Sequence, residues 1–262
     1  MKRVLTAAVI APAFVLFIWF GTSNAFAALS ALLAAIVFAE FADMARNKQI
    51  PVFKWRGAFS AGVLPLAFLS QSSVVLMVAS LIVVALTIAA VAESDLGVNA
   101  LVYTLFGIFY VGVAFTGAVL LRAQPEGGRL LLLICCATWG ADVGAYYGGR
   151  NFGKTKLAPA ISPNKTVEGL VAGVFSSALL AGLFAKFFFP HAVVPMVLGA
   201  ALIGGLLGPV GDLAESMLKR FFGVKDSGKI LPGHGGLFDR LDALMMTAPV
   251  FYVFLGFAGY LA

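Results

Sequence analysis

Long apolar runs recur along this chain, each about as long as a helix that crosses a bilayer. Such a helix needs roughly 20 predominantly apolar residues, and 61% of this chain is hydrophobic while only 11% is charged. The runs lack the alternation of polar and apolar residues that the strands of a membrane barrel show. We therefore predict an all-α, polytopic integral membrane protein with about nine transmembrane helices. The predicted spans are residues 4–20, 25–44, 57–71, 74–92, 99–121, 129–148, 167–189, 193–211 and 242–261.

The positive charges predict how these spans are oriented. With the N-terminus in the cytoplasm, 15 of the 18 Lys and Arg residues fall in cytoplasmic segments, and only Arg122, Arg129 and Lys186 lie on or near the other side. Cytoplasmic loops of membrane proteins are enriched in such residues, so we expect a multi-pass protein of the cell (inner, cytoplasmic) membrane. Bases at this surface meet anionic lipid heads and nucleotides, which explains the formal net charge of +6 without a nucleic-acid partner. Residues 1–25 resemble a secretory signal in outline, but further spans follow at once, and we expect a first membrane anchor.

The two parts of the chain differ in polar content. We expect residues 1–121 to be mainly apolar scaffold spans, and residues 129–262 to supply the spans and loops of an active site, all within one transmembrane catalytic domain. In the first part, Glu40 and Asp43 lie three residues apart near the end of the second span, beside a basic loop. The simplest interpretation is that they are helix-end charges paired with Arg46 or Lys48.

The first polar region covers residues 138–170. Asp142 lies within or at the edge of a predicted span, where an aspartate costs on the order of 3 kcal/mol and therefore needs a partner or an ion. A glycine-rich basic loop follows, with Arg150, Lys154, Lys156 and Lys165. Thr166 is placed to cap the next helix, and Glu168 would lie in its first turn, where an acid suits the helix dipole.

The second polar region runs from Asp212 to Asp242, and its 31 residues carry 11 of the 32 ionisable residues of the chain. If the eighth span continues as a helix, Asp212, Glu215, Ser216 and Lys219 share one face, because they stand at i, i+3, i+4 and i+7. Carboxylates and a hydroxyl are hard oxygen ligands that suit Mg²⁺. The alternative is a helix extension in which Glu215 and Lys219 form only a surface ion pair.

The end of this region, residues 225–242, combines glycines with charges. Glycine allows close backbone approach, and amide groups with Lys or Arg can hold phosphate oxygens. Asp239 and Asp242 lie three residues apart at the edge of the last span. Acids for a cation beside bases for phosphates are typical of metal-assisted phosphoryl or nucleotidyl transfer, and residues 212–242 contain no P-loop pattern. His234 fits a proton carrier or phosphate donor, and equally a structural hydrogen bond in a turn.

The charged residues of both regions stand at fixed spacings that form two longer motifs. The second region contains Ser216-x-x-Lys219-Arg220-x4-Lys225-Asp226 and then Pro232-Gly-His234-Gly-Gly-x-x-Asp239-Arg240-x-Asp242. The first contains Asp142-x-Gly-Ala-Tyr146, Gly-Arg150-x-x-Gly-Lys154 and Ile161-Ser-Pro-Asn-Lys165-Thr-x-Glu168-Gly. Together they resemble the phosphatidate cytidylyltransferase family, also called CDP-diacylglycerol synthases.

This resemblance implies an enzyme of phospholipid biosynthesis that transfers CMP from CTP to phosphatidic acid, giving CDP-diacylglycerol and pyrophosphate. It also implies a homodimer embedded in membrane lipid, with an active site at the cytoplasmic face that uses Mg²⁺, and K⁺ as a second cation able to share the acidic site. Carried over residue by residue, it makes Asp212 and Asp239 the metal ligands. The other catalytic residues that it implies are Lys219, Asp226 and Arg240. The substrate-binding residues are Asp142, Lys165, Ser216, Lys225 and His234.

Within this set we expect Lys165, Lys219 and Lys225 to hold phosphates of CTP or phosphatidate, and Arg240 to clamp one of them bidentately. Two other classes of protein share part of the pattern. One is a CTP-dependent lipid kinase, or a cytidylyltransferase for another lipid phosphate. The other is a secondary transporter, because an intramembrane acid and a span broken by Gly and Pro also occur in ion-coupled carriers.

Overall fold

The computed structural model describes residues 2–68, 72–92, 97–230 and 235–261, and within these ranges the chain forms nine helices and one two-stranded hairpin. The helices are α1 (Lys2–Phe20), α2 (Ser23–Asn47), α3 (Lys54–Ala67), α4 (Ser72–Ala92), α5 (Gly97–Ala123), α6 (Gly127–Phe152), α7 (Val167–Phe188), α8 (Val194–Phe221) and α9 (Phe238–Phe257). Six of the described helices, α2 and α5 to α9, are long and apolar enough to cross a membrane. A largely helical chain with several membrane-length helices is thus confirmed.

The count of nine spans stays a prediction. Helices α1 and α4 contain shorter apolar stretches, Ala11–Phe20 and Met77–Ala92. The third predicted span corresponds to α3, which has only 14 residues and at 1.5 Å per residue is shorter than the hydrocarbon core of about 30 Å.

The segment between α6 and α7 is a β-hairpin that the all-α prediction missed. Strands β1 (Lys156–Ala158) and β2 (Ser162–Thr166) pair antiparallel, with Lys156 opposite Thr166 and Ala158 opposite Ser162. The pairing brings the end of β2 back beside the end of α6, and Thr166 then caps α7 as predicted by accepting the N–H of Gly169. The hairpin therefore presents its polar residues at the ends of α6 and α7.

Two apolar cores hold the helices together, and α9 belongs to both. Leu131 of α6 and Phe251 of α9 are fully buried in one core, and Phe38 of α2 and Phe238 of α9 are fully buried in the other. The later turns of α9 thus pack in the core that contains α6, while its first turn packs with α2. Because both cores fix α9, its polar first turn has a defined position. That one domain contains both parts stays a prediction.

Small residues let the helices that carry the polar regions approach closely. A Cβ atom at Gly173 of α7 would lie 2.9 Å from the carbonyl oxygen of Ala141 in α6, and one at Gly211 of α8 would lie 2.6 Å from that of Asp242 in α9. Contacts of this kind, in which small residues allow backbones to touch, are typical of membrane helices. The approach at Gly211 brings the acidic ends of α8 and α9 together.

Candidate active site

A cavity of about 600 Å³ lies where the end of α6, the hairpin and the starts of α7 and α9 meet α8. Its polar lining consists of Asp142, Tyr146, Arg150, Asn164, Lys165, Thr166, Asp212, Asp239, Arg240 and Asp242. The two polar regions of the sequence therefore line the same cavity. Its walls bring acids and bases together at one end of the apolar helices.

Three carboxylates converge beside this cavity. Asp212 and Glu215 lie three residues apart on α8, which continues through them as a helix as predicted, and Asp242 reaches them from α9. One oxygen from each of the three lies within 4.8 Å of the others. Like charges at this distance repel one another, so the cluster favours a cation or nearby bases.

Glu215 is the most deeply buried of the three carboxylates, at 1% exposed. Its Oε2 pairs with the Lys219 ammonium at 2.7 Å, while Oε1 has no hydrogen-bond partner among the described residues. A buried oxygen without a donor is costly, and a divalent cation would satisfy it. Hard oxygen donors of this kind fit Mg²⁺. Since Glu215 is buried and Lys219 is only 12% exposed, the alternative of a surface ion pair is wrong.

Lys219 joins the cluster to a second carboxylate network. Its ammonium lies 2.6 Å from Asp239 Oδ1 and 2.7 Å from Glu215 Oε2. The other oxygen of Asp239, Oδ2, accepts the N–H of Ser227 at 3.0 Å, its hydroxyl at 2.8 Å and the N–H of Gly236 at 2.8 Å. Lys219 is therefore held by two acids behind the cavity, and Asp239 fixes the loop before α9. The metal role of Asp239 and the phosphate role of Lys219 stay predictions.

Lys165 connects the hairpin to α8. Its ammonium lies 2.7 Å from Asp212 Oδ2 and donates to the carbonyl oxygen of Pro209 at 3.1 Å. The hydroxyl of Ser216 donates to the other oxygen of Asp212 at 3.3 Å. Asp142 lines the same cavity from α6, which gives this acid polar surroundings.

The remaining predicted site residues lie on the segment between α8 and α9. Lys225 and Asp226 are exposed on this loop and do not belong to the lining of the described cavity. Arg240, in contrast, lines the cavity from the first turn of α9. His234 lies outside the described residues. The roles of all four stay predictions.

Several lining residues were missing from the predicted site. Tyr146 and Arg150 lie one turn apart on α6, with Arg150 Nη1 3.4 Å from the Tyr146 hydroxyl oxygen, and Asn164 lies on β2. All three belong to the motif that ends at Gly169, so the motif itself was the signal. Their position adds a further cation to the cavity wall.

Gly148–Thr155 spells the P-loop pattern G-x-x-x-x-G-K-T, but its structure is different. A P-loop connects a strand to the start of a helix, whereas this segment forms the last turn of α6 and its C-cap at Gly153. The N–H groups of Lys154 and Thr155 donate to the Glu168 carboxylate at 3.0 and 3.1 Å. Glu168 thus ties the hairpin to α7, and these amides are not presented to a phosphate.

The acids of α2 differ from their sequence interpretation. Asp43 pairs with Lys54 at 2.7 Å, so its expected pairing with Arg46 or Lys48 is wrong. Glu40 is buried and accepts the backbone N–H groups of Leu237 and Phe238. The first part of the chain therefore contributes a carboxylate next to the site, and a charge inside an apolar run was the signal for it.

Comparison with known proteins places this chain in a family. A sequence model of the cytidylyltransferase family matches residues 1–258. The chain belongs to the cytidylyltransferase family. Enzymes of this family generally need a divalent metal, and the partly buried cluster of Asp212, Glu215 and Asp242 offers carboxylate oxygens for one.

Individual cytidylyltransferases resemble the chain over part of its length. It is 42% identical over 153 residues to phosphatidate cytidylyltransferases of Staphylococcus aureus strain COL and Staphylococcus saprophyticus, and 41% identical to that of Staphylococcus epidermidis. In each case the alignment covers 58% of this chain and 58% of the relative. The chain thus spans somewhat over half the length of the curated relatives that it matches.

Proposed function

We propose that this chain is a phosphatidate cytidylyltransferase, which transfers CMP from CTP to phosphatidic acid and releases CDP-diacylglycerol and pyrophosphate. The observation that carries the proposal is the cavity at one end of the apolar helices, in which Asp212 and Asp242 of the carboxylate cluster lie in the same lining as Arg150, Lys165 and Arg240. The names of the similar bacterial enzymes support this choice of substrates. A lipid with an anionic head group can place that head in the cavity while its acyl chains stay among the apolar helices.

The metal of this reaction is proposed to be Mg²⁺, with K⁺ as a second cation that shares the same acidic site. Asp212, Asp242 and the unpartnered Oε1 of Glu215 are the oxygens that would hold it, and Asp239 is the further ligand that the family resemblance suggests. When bound, a divalent cation neutralises phosphate oxygens and stabilises the charge that develops on the leaving group.

The residues of the chain have to bring two anions together. The phosphate of phosphatidic acid is already an anionic nucleophile, so its oxygen forms the new bond to the α-phosphorus of CTP while the bond to the β-phosphate oxygen breaks. No proton has to be removed in this step. Arg150, Lys165 and Arg240 line the cavity as donors for phosphate oxygens, and Arg is suited to bidentate binding.

Lys165 has a second task when no substrate is bound. Its contact with Asp212 at 2.7 Å offsets the repulsion within the acidic cluster. With a cation held by Asp212, Glu215 and Asp242, the Lys165 ammonium would be available to a phosphate oxygen. We propose that Lys219, Glu215 and Asp239 keep their places and hold α8 and α9 in register during turnover.

The orientation and assembly of the enzyme belong to the same proposal. The bias of Lys and Arg toward one side supports an active site at the cytoplasmic face of the cell membrane, where CTP is available. The homodimer is proposed from the family resemblance. Substrate binding by Lys225 and His234 and a catalytic role for Asp226 are proposed from the family resemblance alone.

The proposal is tested with purified protein in detergent, supplied with phosphatidic acid, CTP and Mg²⁺. Pyrophosphate and CDP-diacylglycerol are expected in equal amounts, only when all three are present, and the rate is expected to fall sharply in Asp212→Asn. Formation of CDP instead of pyrophosphate would indicate a lipid kinase. Intact CTP would contradict the proposed activity and favour a transporter.

A further inference from the structure

The first turn of α9 is held by a carboxylate from the other part of the chain. Glu40 of α2 is 4% exposed; its Oε1 accepts the N–H of Leu237 at 2.9 Å and its Oε2 accepts the N–H of Phe238 at 2.8 Å. Leu237, at the N-cap position of α9, offers no side-chain cap of its own. The first N–H groups of a helix need acceptors, and a carboxylate there also suits the helix dipole. Glu40 therefore caps α9 from 197 residues away in the sequence.

Glu40 also holds the loop that precedes α9. The Ser227 hydroxyl lies 3.2 Å from Glu40 Oε2 and 2.8 Å from Asp239 Oδ2, and so bridges the two carboxylates. A Cβ atom at Gly228 would lie 2.5 Å from Glu40 Oε1, and one at Gly236 would lie 2.6 Å from Oε2. The backbone at both Gly228 and Gly236 thus approaches the carboxylate so closely that only glycine fits.

The surroundings of Glu40 make these contacts necessary. Glu40 itself is almost fully buried, like Phe38 and Phe41 on the same helix, so water scarcely solvates the carboxylate. A buried charge is tolerated only where hydrogen-bond donors replace water, and here the two amides do so, while the Ser227 hydroxyl shares its one proton between Glu40 and Asp239. Each of these donors belongs to the segment that carries the first turn of α9.

We propose that Glu40 is a positioning residue for the active site. It sets the first turn of α9 against α8, and with that turn it sets Asp239, Arg240 and Asp242. Glu40 itself does not line the described cavity and touches no substrate. The inference rests on the proposed function where it is tested by enzyme turnover, but not where it is tested by cleavage of the loop.

The test compares Glu40→Gln with wild type and with Asp43→Asn. Glu40→Gln keeps the side-chain volume but points an amide group at a backbone donor, whereas the exposed Asp43 lies one turn along α2 and pairs only with Lys54 among the described contacts. The first readout is trypsin cleavage of the native protein in detergent, measured at Lys225 and Lys229 in the loop. Because cleavage follows the population of the opened loop, we expect it to rise about tenfold or more in Glu40→Gln and not in Asp43→Asn.

The second readout is the Mg²⁺ dependence of turnover. Loss of a residue that orients metal ligands typically costs about 10- to 100-fold in metal affinity or activity, so the half-saturating Mg²⁺ concentration is expected to rise by that factor. A cleavage rate of Glu40→Gln equal to that of wild type would overturn the proposal. Lower activity at an unchanged half-saturating Mg²⁺ concentration would also overturn it, because a merely structural role reduces only the folded fraction.

Two further outcomes are kept distinct. If Glu40→Gln is not recovered as folded protein, Ser227→Ala is measured in its place; it removes only the bridging hydroxyl, and a smaller change in the same direction is expected, while wild-type values overturn the proposal. If wild type forms no CDP-diacylglycerol, the proposed function fails, and the cleavage comparison alone then decides whether Glu40 holds the first turn of α9.

Discussion

Replacement of Lys219 by Met tests the buried charge network most strongly. The Lys219 ammonium lies between Glu215 and Asp239, at 2.7 and 2.6 Å, and the three side chains are 12%, 2% and 8% exposed. Met keeps most of the aliphatic length but leaves two buried carboxylates without their shared cation. Breaking a buried pair in this way typically costs about 3–5 kcal/mol, whereas loss of an exposed pair costs about 0.2–1 kcal/mol.

The expected result is a large loss of stability. For a chain of this size, a cost of about 3–5 kcal/mol corresponds to a fall of about 6–20 °C in the melting temperature. The assay is thermal unfolding in detergent, followed by tryptophan fluorescence. Lys154→Met, at an exposed position, is the matched control and is expected to change the melting temperature by no more than about 2 °C.

A double variant identifies the cause. Glu215→Gln added to Lys219→Met removes one of the two uncompensated charges, so it is expected to restore part of the lost stability. If Lys219→Met unfolds at the wild-type temperature but has a raised KM for CTP, Lys219 binds phosphate instead of holding two acids, and the structural reasoning is wrong.

Three further predictions concern the cavity and the contact between α8 and α9. Lys165→Ala is expected to lower kcat/KM by about 10- to 100-fold, because a charged hydrogen bond is worth about 1.5–3 kcal/mol. The control Lys156→Ala, at an exposed position on the same hairpin, is expected to leave kcat/KM unchanged. Steady-state kinetics measures both variants. Glu215→Gln is expected to raise the half-saturating Mg²⁺ concentration about 10- to 100-fold, as measured in a Mg²⁺ titration, and an unchanged value would remove Glu215 from the metal site. Gly211→Ala places a Cβ atom 2.6 Å from a carbonyl oxygen of α9 and is expected to destabilise the protein by about 1–3 kcal/mol. In the control Gly182→Ala, the new Cβ atom has no other atom within 4 Å, so the melting temperature is expected to stay unchanged or to rise because Ala favours helix. Equal melting temperatures for the two variants would show that the helices do not touch at Gly211.

The helical architecture and one face of the site were predictable because they depend on local pattern. Apolar runs of membrane length predicted the long helices, and the spacing of Asp212, Glu215 and Lys219 placed them on one face of α8, as found. Thr166 was recognised as a helix cap from residue type and position alone. In each case a short window of sequence contains the physical cause.

Contacts between distant segments were not predictable in the same way. Lys165 meets Asp212 and Glu40 meets Leu237 only because helices that are uniformly apolar pack in one arrangement, and such helices carry no periodicity that specifies it. The hairpin was missed because β1 has three residues and β2 has five, too few for an alternating pattern to stand out. The position of Lys219 behind the cavity also depends on packing, since sequence spacing does not distinguish a lysine that lines the cavity from one that pairs with buried acids.

The central claim, transfer of the α-phosphate of CTP to a lipid phosphate, is tested most directly by following two labels. Purified protein receives phosphatidic acid, Mg²⁺ and CTP that is radiolabelled at the α-phosphate in one sample and at the γ-phosphate in the other. The proposal predicts that the α-label enters the lipid phase while the γ-label leaves as pyrophosphate, at equal rates. A γ-label in the lipid, with the α-label left in water-soluble CDP, would contradict it.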